Sequence, residues 1–200
     1  MSEKITPILL ILFNRTETTK ELLLSLQKIK PENLYIYFDG PRESCIKDDL
    51  NAFLQIEELI DKYVDWTCQL NIKHSKKNLG SHVAPKRAID WFFTCEENGI
   101  ILEDDCIPDP SFYDYCEFLL EEYKYDDEVF LISGDNAGPL IPAKLFNEND
   151  YLFSKVPLTW GWATWKNRWE KVDENLEIWK DSFLKNRYLL NPYPLYESLL

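Results

Sequence analysis

The chain has 200 residues, 45% of them hydrophobic, which is enough for one sizeable core and predicts a single domain spanning 1–200. Its 35 acidic and 22 basic residues give a formal net charge of −13, which argues against nucleic acid as a partner because phosphate backbones require a basic face. The 5 cysteines lie at long spacings without a C-x-x-C pair, which argues against a zinc cluster and predicts free thiols in the cytoplasm.

Strand and helix patterns alternate from the amino terminus onwards. Apolar runs and alternating patterns predict strands, and apolar residues at helical spacing predict the helices between them. The predicted strands are 8–13, 34–38, 68–74, 99–102 and 129–132. This alternation predicts an α/β fold of three layers, with right-handed crossovers and a mostly parallel central sheet.

Polar residues predict where three of the helices begin. Thr18 and Glu21 match a capping box, in which each side chain bonds to the other residue's backbone. Ser81 and Ser111 each precede an apolar helical pattern and are expected to cap those helices. Pro85 is then expected in the first turn of its helix, where a missing N–H is tolerated.

Neither end of the chain predicts a membrane-spanning segment. The apolar run 5–13 is too short to cross a bilayer, lacks a cleavage site and is interpreted as a buried first strand. The final residues 193–200 resemble the start of an amphipathic helix without a stop signal. We therefore expect the domain to lack a C-terminal portion.

Polar side chains follow each predicted strand, at the edge where parallel strands place their ligands. They are Asn14 and Arg15, Asp39 and Gly40, His74 to Asn78, Glu103 to Asp105, and Gly134 to Asn136. We call Glu103, Asp104 and Asp105 the acidic triplet. Adjacent carboxylates repel one another, so a positive group is expected beside them. The alternative interpretation is a solvated loop, favoured by the positive end of the following helix.

Charges of both signs at one edge suit a nucleotide diphosphate held through a divalent cation. Mg²⁺ or Mn²⁺ prefers oxygen ligands and needs only one or two protein carboxylates. Basic side chains would then contact the remaining phosphate oxygens. In an extended chain Glu103 and Asp105 point one way and Asp104 the other, which would leave at least one acid free for substrate hydroxyls.

Other catalytic signatures are missing from the sequence. It contains no G-x-x-x-x-G-K-[ST], no G-x-G-x-x-G and no H-E-x-x-H. These absences weaken the P-loop, dinucleotide-binding and zinc-protease interpretations.

Five short motifs follow one another in a fixed order between about residues 5 and 169. They are a strand ending in Asn14-Arg15, a strand ending in Asp39-Gly40, Asn78-Leu79-Gly80, Ile101 to Asp105, and Trp160 to Trp165. In this order they resemble bacterial nucleotide-sugar glycosyltransferases of the GT-A fold, of the kind found in capsule and lipopolysaccharide gene products. The chain is also distantly similar to the N-acetylglucosaminyltransferase I family.

The resemblance implies roles for residues at the strand ends. Asp105 matches the metal ligand, for Mn²⁺ or Mg²⁺, and Glu103 and Asp104 match acids that hold the donor's ribose and sugar hydroxyls. Asp39 matches the residue that recognises the base, usually uracil. The remaining expected contacts are Asn14, Arg15 and either Lys86 or Arg87 at the nucleotide, with Asp135 and Asn136 at the acceptor or pocket.

The tryptophan-rich segment allows two interpretations. Spacings of three and four predict that Trp165 and Trp169 are core residues of a helix. Trp160, Gly161 and Trp162 instead suit the apolar face of a sugar. The resemblance implies that such an element closes the donor or acceptor pocket, and we favour Gly161 and Trp162 for that role.

A general base for the acceptor hydroxyl is not evident. Asp173 and Asp181 are candidates, although neither matches the related motif, and the base is otherwise expected beyond residue 200. The leading prediction is a metal-dependent, inverting glycosyltransferase that uses a UDP-sugar and a glycan or glycolipid acceptor. The alternatives are a non-catalytic nucleotide-sugar or glycan-binding module and a sugar nucleotidyltransferase. We expect it in the cytoplasm, with any contact with the inner face of the membrane made through the acceptor or through a missing region.

Overall fold

A computed structural model describes residues 6–135, 151–154 and 156–172. Its strands are β1 (Ile8–Leu12), β2 (Asn33–Phe38), β3 (Gln69–His74), β4 (Asn98–Glu103), β5 (Ile132–Ser133) and β6 (Trp162–Trp165). Its helices are α1 (Thr16–Ile29), α2 (Ile46–Tyr63), α3 (Gly80–Phe92), α4 (Ser111–Glu122) and α5 (Lys166–Trp169), with a 3₁₀ turn at Glu43–Cys45.

The strands form one six-stranded sheet in the order β3-β2-β1-β4-β6-β5. The neighbours β3, β2, β1 and β4 are parallel, whereas β6 is antiparallel to both β4 and β5. At the centre, Leu10 pairs with Ile36 on one side and with Leu102 on the other. The prediction of an α/β fold with a mostly parallel sheet is therefore confirmed.

Both faces of the sheet are covered by helices, which explains the continuous apolar run of β1. Alternate residues of a strand point to opposite faces. Ile8, Leu10 and Leu12 belong to the core beneath α1, α2 and α4, whereas Leu9 and Ile11 belong to the core beneath α3. All five are buried, and burial of one such side chain contributes about 1.5–3 kcal/mol.

The direction of the chain across the sheet reverses once among the parallel strands. From β1 it continues to β2 and β3 with α1 and α2 on one face, then returns beside β1 as β4 with α3 on the other face. Right-handed crossovers require this change of face when the direction reverses. The helices that follow the neighbouring strands β1 and β4, which are α1 and α4, both pack on the first face, so the loops after these two strands lie side by side. We call the edge at which β1 to β4 end the carboxyl edge.

Two predictions about the later elements are wrong. The predicted strand 129–132 is reduced to Ile132–Ser133, and Trp165 lies in strand β6 instead of a helix core. The pairing of Trp162–Trp165 with β4 buries all four residues of β6 and overrides the helical spacing of the tryptophans. Thr164 also donates its hydroxyl to the carbonyl of Phe130, which fixes the segment before β5.

The predicted helix starts also need correction. The first turn of α1 begins at Thr16, so Thr18 is inside the helix, and its hydroxyl donates weakly to the Arg15 carbonyl instead of capping. The amides that open α3 are capped by the distant Asp39, not by Ser81. Pro85 falls in the second turn of α3.

At the start of α4, the nearby Asp109 performs the role predicted for Ser111. Ser111 is the first helical residue, and its amide and hydroxyl both donate to Asp109 Oδ1, over 3.0 and 2.7 Å.

The five cysteines are all free, and Cys106 and Cys116 are buried. No helix within the described ranges has the length and hydropathy needed to cross a membrane.

Candidate functional site at the carboxyl edge

The acidic triplet meets a positive group beside the ends of β1 and β4. Arg15 follows β1, and its Nη1 lies 3.0 Å from Asp104 Oδ1 and 2.5 Å from Asp105 Oδ2. The positive partner expected from the sequence is therefore Arg15. The prediction that Asp104 and Asp105 point to opposite sides is wrong, since both contact Arg15. The reason is that β4 ends at Glu103 and the chain turns there, with the Cys106 amide donating to the Glu103 carbonyl.

Asp104 is the buried member of the triplet. Its second carboxylate oxygen, Oδ2, accepts a hydrogen bond of 3.3 Å from the backbone amide of Phe13. The loss of hydration raises the pKa of Asp104, and the opposing effects of Arg15 and the Phe13 amide do not fully offset it. Asp104 thereby joins the ends of β1 and β4, although burial disfavours its ionised form.

Asp105 is more accessible and has a donor on each carboxylate oxygen. Arg15 contacts Oδ2, and the indole Nε1 of Trp160 donates to Oδ1 over 3.2 Å. Trp160 is itself 63% exposed, so much of this residue is accessible beside Asp105. Sequence reasoning favoured Trp162 over this residue.

Glu103 is exposed, and within the described residues its carboxylate accepts no hydrogen bond. Partial desolvation, followed by repulsion from Asp105 and Asp104, raises the pKa of Glu103. It is therefore the member of the triplet whose oxygens are most available to a cation or a hydroxyl group.

Asp39, at the end of β2, is buried and holds the start of α3. Its Oδ1 accepts from the backbone amides of Gly40 and Leu79, each over 2.8 Å. Its Oδ2 accepts from the Gly80 amide over 2.9 Å and from Asn78 Nδ2 over 3.0 Å. This carboxylate, which the resemblance links to base recognition, is already occupied by donors from the protein.

Gly40 is required by the close approach of the loop before α3. A Cβ at this position would lie 2.3 Å from the carbonyl carbon of Lys77 and 2.8 Å from the amide nitrogen of Asn78. The Asn78 side chain also donates to the Gly40 carbonyl over 2.8 Å. Asp39-Gly40 and Asn78-Leu79-Gly80, two of the ordered motifs, therefore form one packed unit.

Asn14 is held by Asp49, a buried carboxylate on α2. Its Nδ2 donates to Asp49 Oδ1 over 2.8 Å, and Arg42 binds both oxygens of Asp49 through Nε and Nη2, over 2.9 and 2.7 Å. These donors, with Arg42 first, hold the pKa of Asp49 well below its usual range. The Arg42 guanidinium lies 5.3 Å from the ring centroid of Phe13. Sequence reasoning missed Arg42, although it closely follows Asp39-Gly40.

Lys86 and Arg87 have different surroundings on α3. Lys86 Nζ lies 2.6 Å from Asp90 Oδ2, one turn further along the same helix. Arg87 is exposed and close enough to Tyr37, a residue of β2, to oppose the rise in the Tyr37 pKa that burial causes. The charge of Arg87 therefore acts near Tyr37, within β2.

The tryptophan segment contributes Trp160, not Trp162, to the surface of the site. Trp162 is buried in β6, and its ring centroid lies 6.2 Å from that of Trp169. Gly161 has a φ of +71°, a conformation that favours glycine, and its carbonyl accepts from the Gly134 amide over 2.9 Å. This turn before β6 directs Trp160 towards Asp105.

The remaining predicted residues are at the border of the described chain. Asp135 follows β5, and its amide donates to Ser133 Oγ over 3.1 Å. Asn136, Asp173 and Asp181 lie outside the described residues.

The oxygen donors of the triplet suit a hard divalent cation such as Mn²⁺ or Mg²⁺. In the described ranges no group of three His, Cys, Asp or Glu side chains is arranged to hold a metal ion. A cation here would depend on one or two carboxylates, Asp105 and Glu103, with phosphate and water completing its shell. This requirement fits a nucleotide-bound cation better than a site formed by the protein alone.

Comparisons with protein-family models and with curated proteins find no match for this chain. Its function is therefore inferred from the geometry and chemistry of the carboxyl edge.

Proposed function

We propose that this chain is a metal-dependent glycosyltransferase domain of the GT-A type, which moves a sugar from a nucleotide-diphosphate donor to a glycan or glycolipid acceptor. One observation carries the proposal: Arg15 meets Asp104 and Asp105 of the acidic triplet, from separate loops, where the neighbouring strands β1 and β4 end. Open α/β sheets bind ligands where the strand order reverses. The mixture of charges selects a ligand that is anionic itself and associated with a cation.

Each residue of the site receives a role from its surroundings. Asp105 and Glu103 are the carboxylates available to a Mn²⁺ or Mg²⁺ ion, and Glu103 can also accept from hydroxyl groups of the donor. Arg15 and Arg87 are exposed cations for the phosphates. Asp104, which is buried, keeps the ends of β1 and β4 together.

Asp39 receives a structural role in this proposal. Because its oxygens already accept from the amides that open α3, it shapes the nucleotide pocket instead of binding the base. Trp160 supplies an exposed aromatic residue beside Asp105.

When bound, a Mn²⁺ or Mg²⁺ ion held by Asp105 and Glu103 would supply Lewis acidity for the departing diphosphate. The chain's own carboxylates and arginines orient the donor, and the reaction also needs a base that removes the proton from the acceptor hydroxyl. The candidates for that base, Asp173 and Asp181, are beyond the described part of the chain. A UDP-sugar donor, inversion and a location at the inner face of the membrane belong to the same proposal.

The nucleotidyltransferase alternative has less support. Such enzymes typically use a glycine-rich phosphate loop after the first strand, whereas β1 and α1 are joined here by residues 13–15, which contain no glycine. The binding-module alternative has the same site and differs only in lacking turnover of the donor.

Nucleotide binding with and without metal tests the proposal. We expect UDP with Mn²⁺ to raise the melting temperature of the protein and expect a chelator to abolish this shift. Asp105→Asn should weaken UDP–Mn²⁺ binding by about tenfold or more in calorimetry, since it removes the charge but keeps the side-chain shape. Asp114→Asn, an exposed position on α4, is the matched control and should bind as the wild type does.

Several outcomes would contradict the proposal. Unchanged UDP–Mn²⁺ affinity in Asp105→Asn would remove Asp105 from the site. Stabilisation by nucleoside triphosphates with a sugar phosphate, but not by UDP, would favour the nucleotidyltransferase. Binding without hydrolysis or transfer of the donor sugar would favour the binding module.

A further inference from the structure

We propose that Arg15 is a built-in counter-ion that competes with the metal, so that the divalent cation binds weakly alone and more tightly together with the diphosphate. The inference rests on the proposed function and concerns the order of binding at the same site.

The contacts of Asp105 give the first reason. Arg15 Nη1 lies 2.5 Å from Asp105 Oδ2, and Trp160 Nε1 lies 3.2 Å from Asp105 Oδ1. Both oxygens of the expected metal ligand therefore already have a donor. The same Nη1 atom also lies 3.0 Å from Asp104 Oδ1, so a single nitrogen contacts two carboxylates. A cation that binds Asp105 through Oδ2 must displace this nitrogen.

The attachment of Arg15 gives the second reason. Its backbone carbonyl is held at the start of α1 by the amide and the hydroxyl of Thr19, over 3.1 and 2.6 Å. Its side chain, by contrast, is 57% exposed. The guanidinium can therefore leave the carboxylates while the backbone stays in place.

Departure of the guanidinium has different electrostatic consequences with and without a nucleotide. A divalent cation binding alone would take the carboxylates from Arg15 and leave two positive groups side by side, which repel each other. A diphosphate that arrives with the cation offers the displaced guanidinium new acceptor oxygens. Binding of the metal and of the nucleotide should therefore be positively coupled, and the coupling depends on Arg15.

The proposal predicts effects of opposite sign for one substitution. In Arg15→Gln the triplet loses its internal counter-charge, so Mn²⁺ alone should bind about tenfold more tightly. The same variant loses a phosphate contact, so UDP in the presence of saturating Mn²⁺ should bind about tenfold more weakly. A residue with only a structural role would not move the two affinities in opposite directions.

The experiment measures both affinities on the same proteins. Free Mn²⁺ is counted by electron paramagnetic resonance, and UDP binding is measured by calorimetry at saturating Mn²⁺. Lys47→Gln, an exposed position on α2, is the control for the loss of one positive charge and should match the wild type. Arg15→Lys keeps the charge at the site, so its affinity for Mn²⁺ alone should stay near that of the wild type. A melting curve for each variant establishes that it is folded.

The outcomes separate this inference from the proposed function. If the wild type binds UDP–Mn²⁺ but Arg15→Gln does not gain affinity for Mn²⁺ alone, the inference is wrong and the proposed function stands. If the wild type binds no nucleotide with or without metal, the proposed function is wrong and the inference falls with it. If Mn²⁺ affinity rises equally in Arg15→Gln and Lys47→Gln, the effect is one of net charge, and the inference is again wrong.

Discussion

At the scale of single residues, the carboxylates at the carboxyl edge differ in how they are compensated. Asp104 and Asp105 face Arg15, Asp49 is bound by both Arg42 and Asn14, and Asp39 accepts backbone amides. Glu103 alone in this set accepts no hydrogen bond from the described residues. A carboxylate that lies near other negative charges and accepts no hydrogen bond lowers the stability of the folded protein. Such a loss of stability is common at binding sites.

Replacement of Glu103 should therefore stabilise the protein. The folded state raises the pKa of Glu103, so the ionised side chain is destabilising at neutral pH. Glu103→Gln should raise the free energy of unfolding there by about 0.5 kcal/mol, the usual size for exposed charges. The gain should disappear as the pH falls through the ordinary glutamate pKa of about 4.3, because the carboxyl is then neutral in both states.

Urea denaturation at several pH values measures this effect. Glu58→Gln, an exposed position on α2, is the control and should change the free energy of unfolding little at any pH. A loss of stability in Glu103→Gln at neutral pH would show that Glu103 has a favourable partner outside the described residues.

At the scale of elements, α3 depends on a residue 41 positions before its first amide, since Asp39 accepts from Gly80. In Asp39→Asn the new amide group must replace one oxygen, and each oxygen faces at least two donors. We expect a loss of about 1–3 kcal/mol, the cost of leaving buried donors unsatisfied. Amide hydrogen exchange should accelerate first at Leu79 and Gly80.

A matched substitution separates this effect from ordinary helix capping. Asp109→Asn makes the same chemical change at the exposed start of α4, where the cost should be clearly smaller because water can satisfy the freed donors. Equal losses in the two variants would contradict the role given to Asp39 in holding α3.

The same elements show how far the sequence could predict the structure. The strands β1, β2 and β4 were predicted to within two residues, because burial on both faces leaves continuous apolar runs. The strand β6 was missed because its pairing with β4 is a long-range contact that local tryptophan spacing does not encode. The same limit applies to the cap that Asp39 provides for α3.

The candidate site was predictable only where it follows from topology. Arg15 and the triplet were expected to meet because both follow parallel strands, and they do. The choice of Trp162 over Trp160 missed a local signal, since a glycine between the two indoles allows the chain to turn. The Arg42–Asp49 pair has no such signal, because its members lie on a loop and a helix whose packing cannot be derived locally.

At the scale of the whole molecule, the reversal of strand order places β4 beside β1 and so brings Arg15 to the acidic triplet. Asp49 connects this edge of the sheet to the helix layer, because it lies on α2 and binds residues that follow β1 and β2. Asp49, on α2, connects the end of β1 through Asn14 and the loop after β2 through Arg42. Its side chain is 1% exposed. A buried carboxylate of this kind makes the stability of the entire domain depend on pH.

Asp49 should therefore control part of the acid unfolding of the protein. Since the folded state lowers the pKa of Asp49, its ionised form stabilises the fold at neutral pH. That contribution should be complete above the ordinary aspartate pKa of about 3.9 and should be lost progressively as the pH falls below it. Asp49→Asn should lower the free energy of unfolding at neutral pH by about 2 kcal/mol, the scale of hydrogen bonds to a charged group.

The decisive quantity is the gap between the wild-type and Asp49→Asn stabilities as a function of pH, obtained by urea denaturation. The gap should be constant from neutral pH down to about pH 4 and should then narrow, because protonation removes from the wild type the charge that the variant already lacks. Asp48→Asn, the exposed neighbour on the same turn of α2, should stay within about 0.5 kcal/mol of the wild type at neutral pH. A gap that does not narrow in acid would mean that Asp49 stabilises the domain through its shape, and that the charge of the Arg42–Asp49 pair contributes nothing to holding β1, β2 and α2 together.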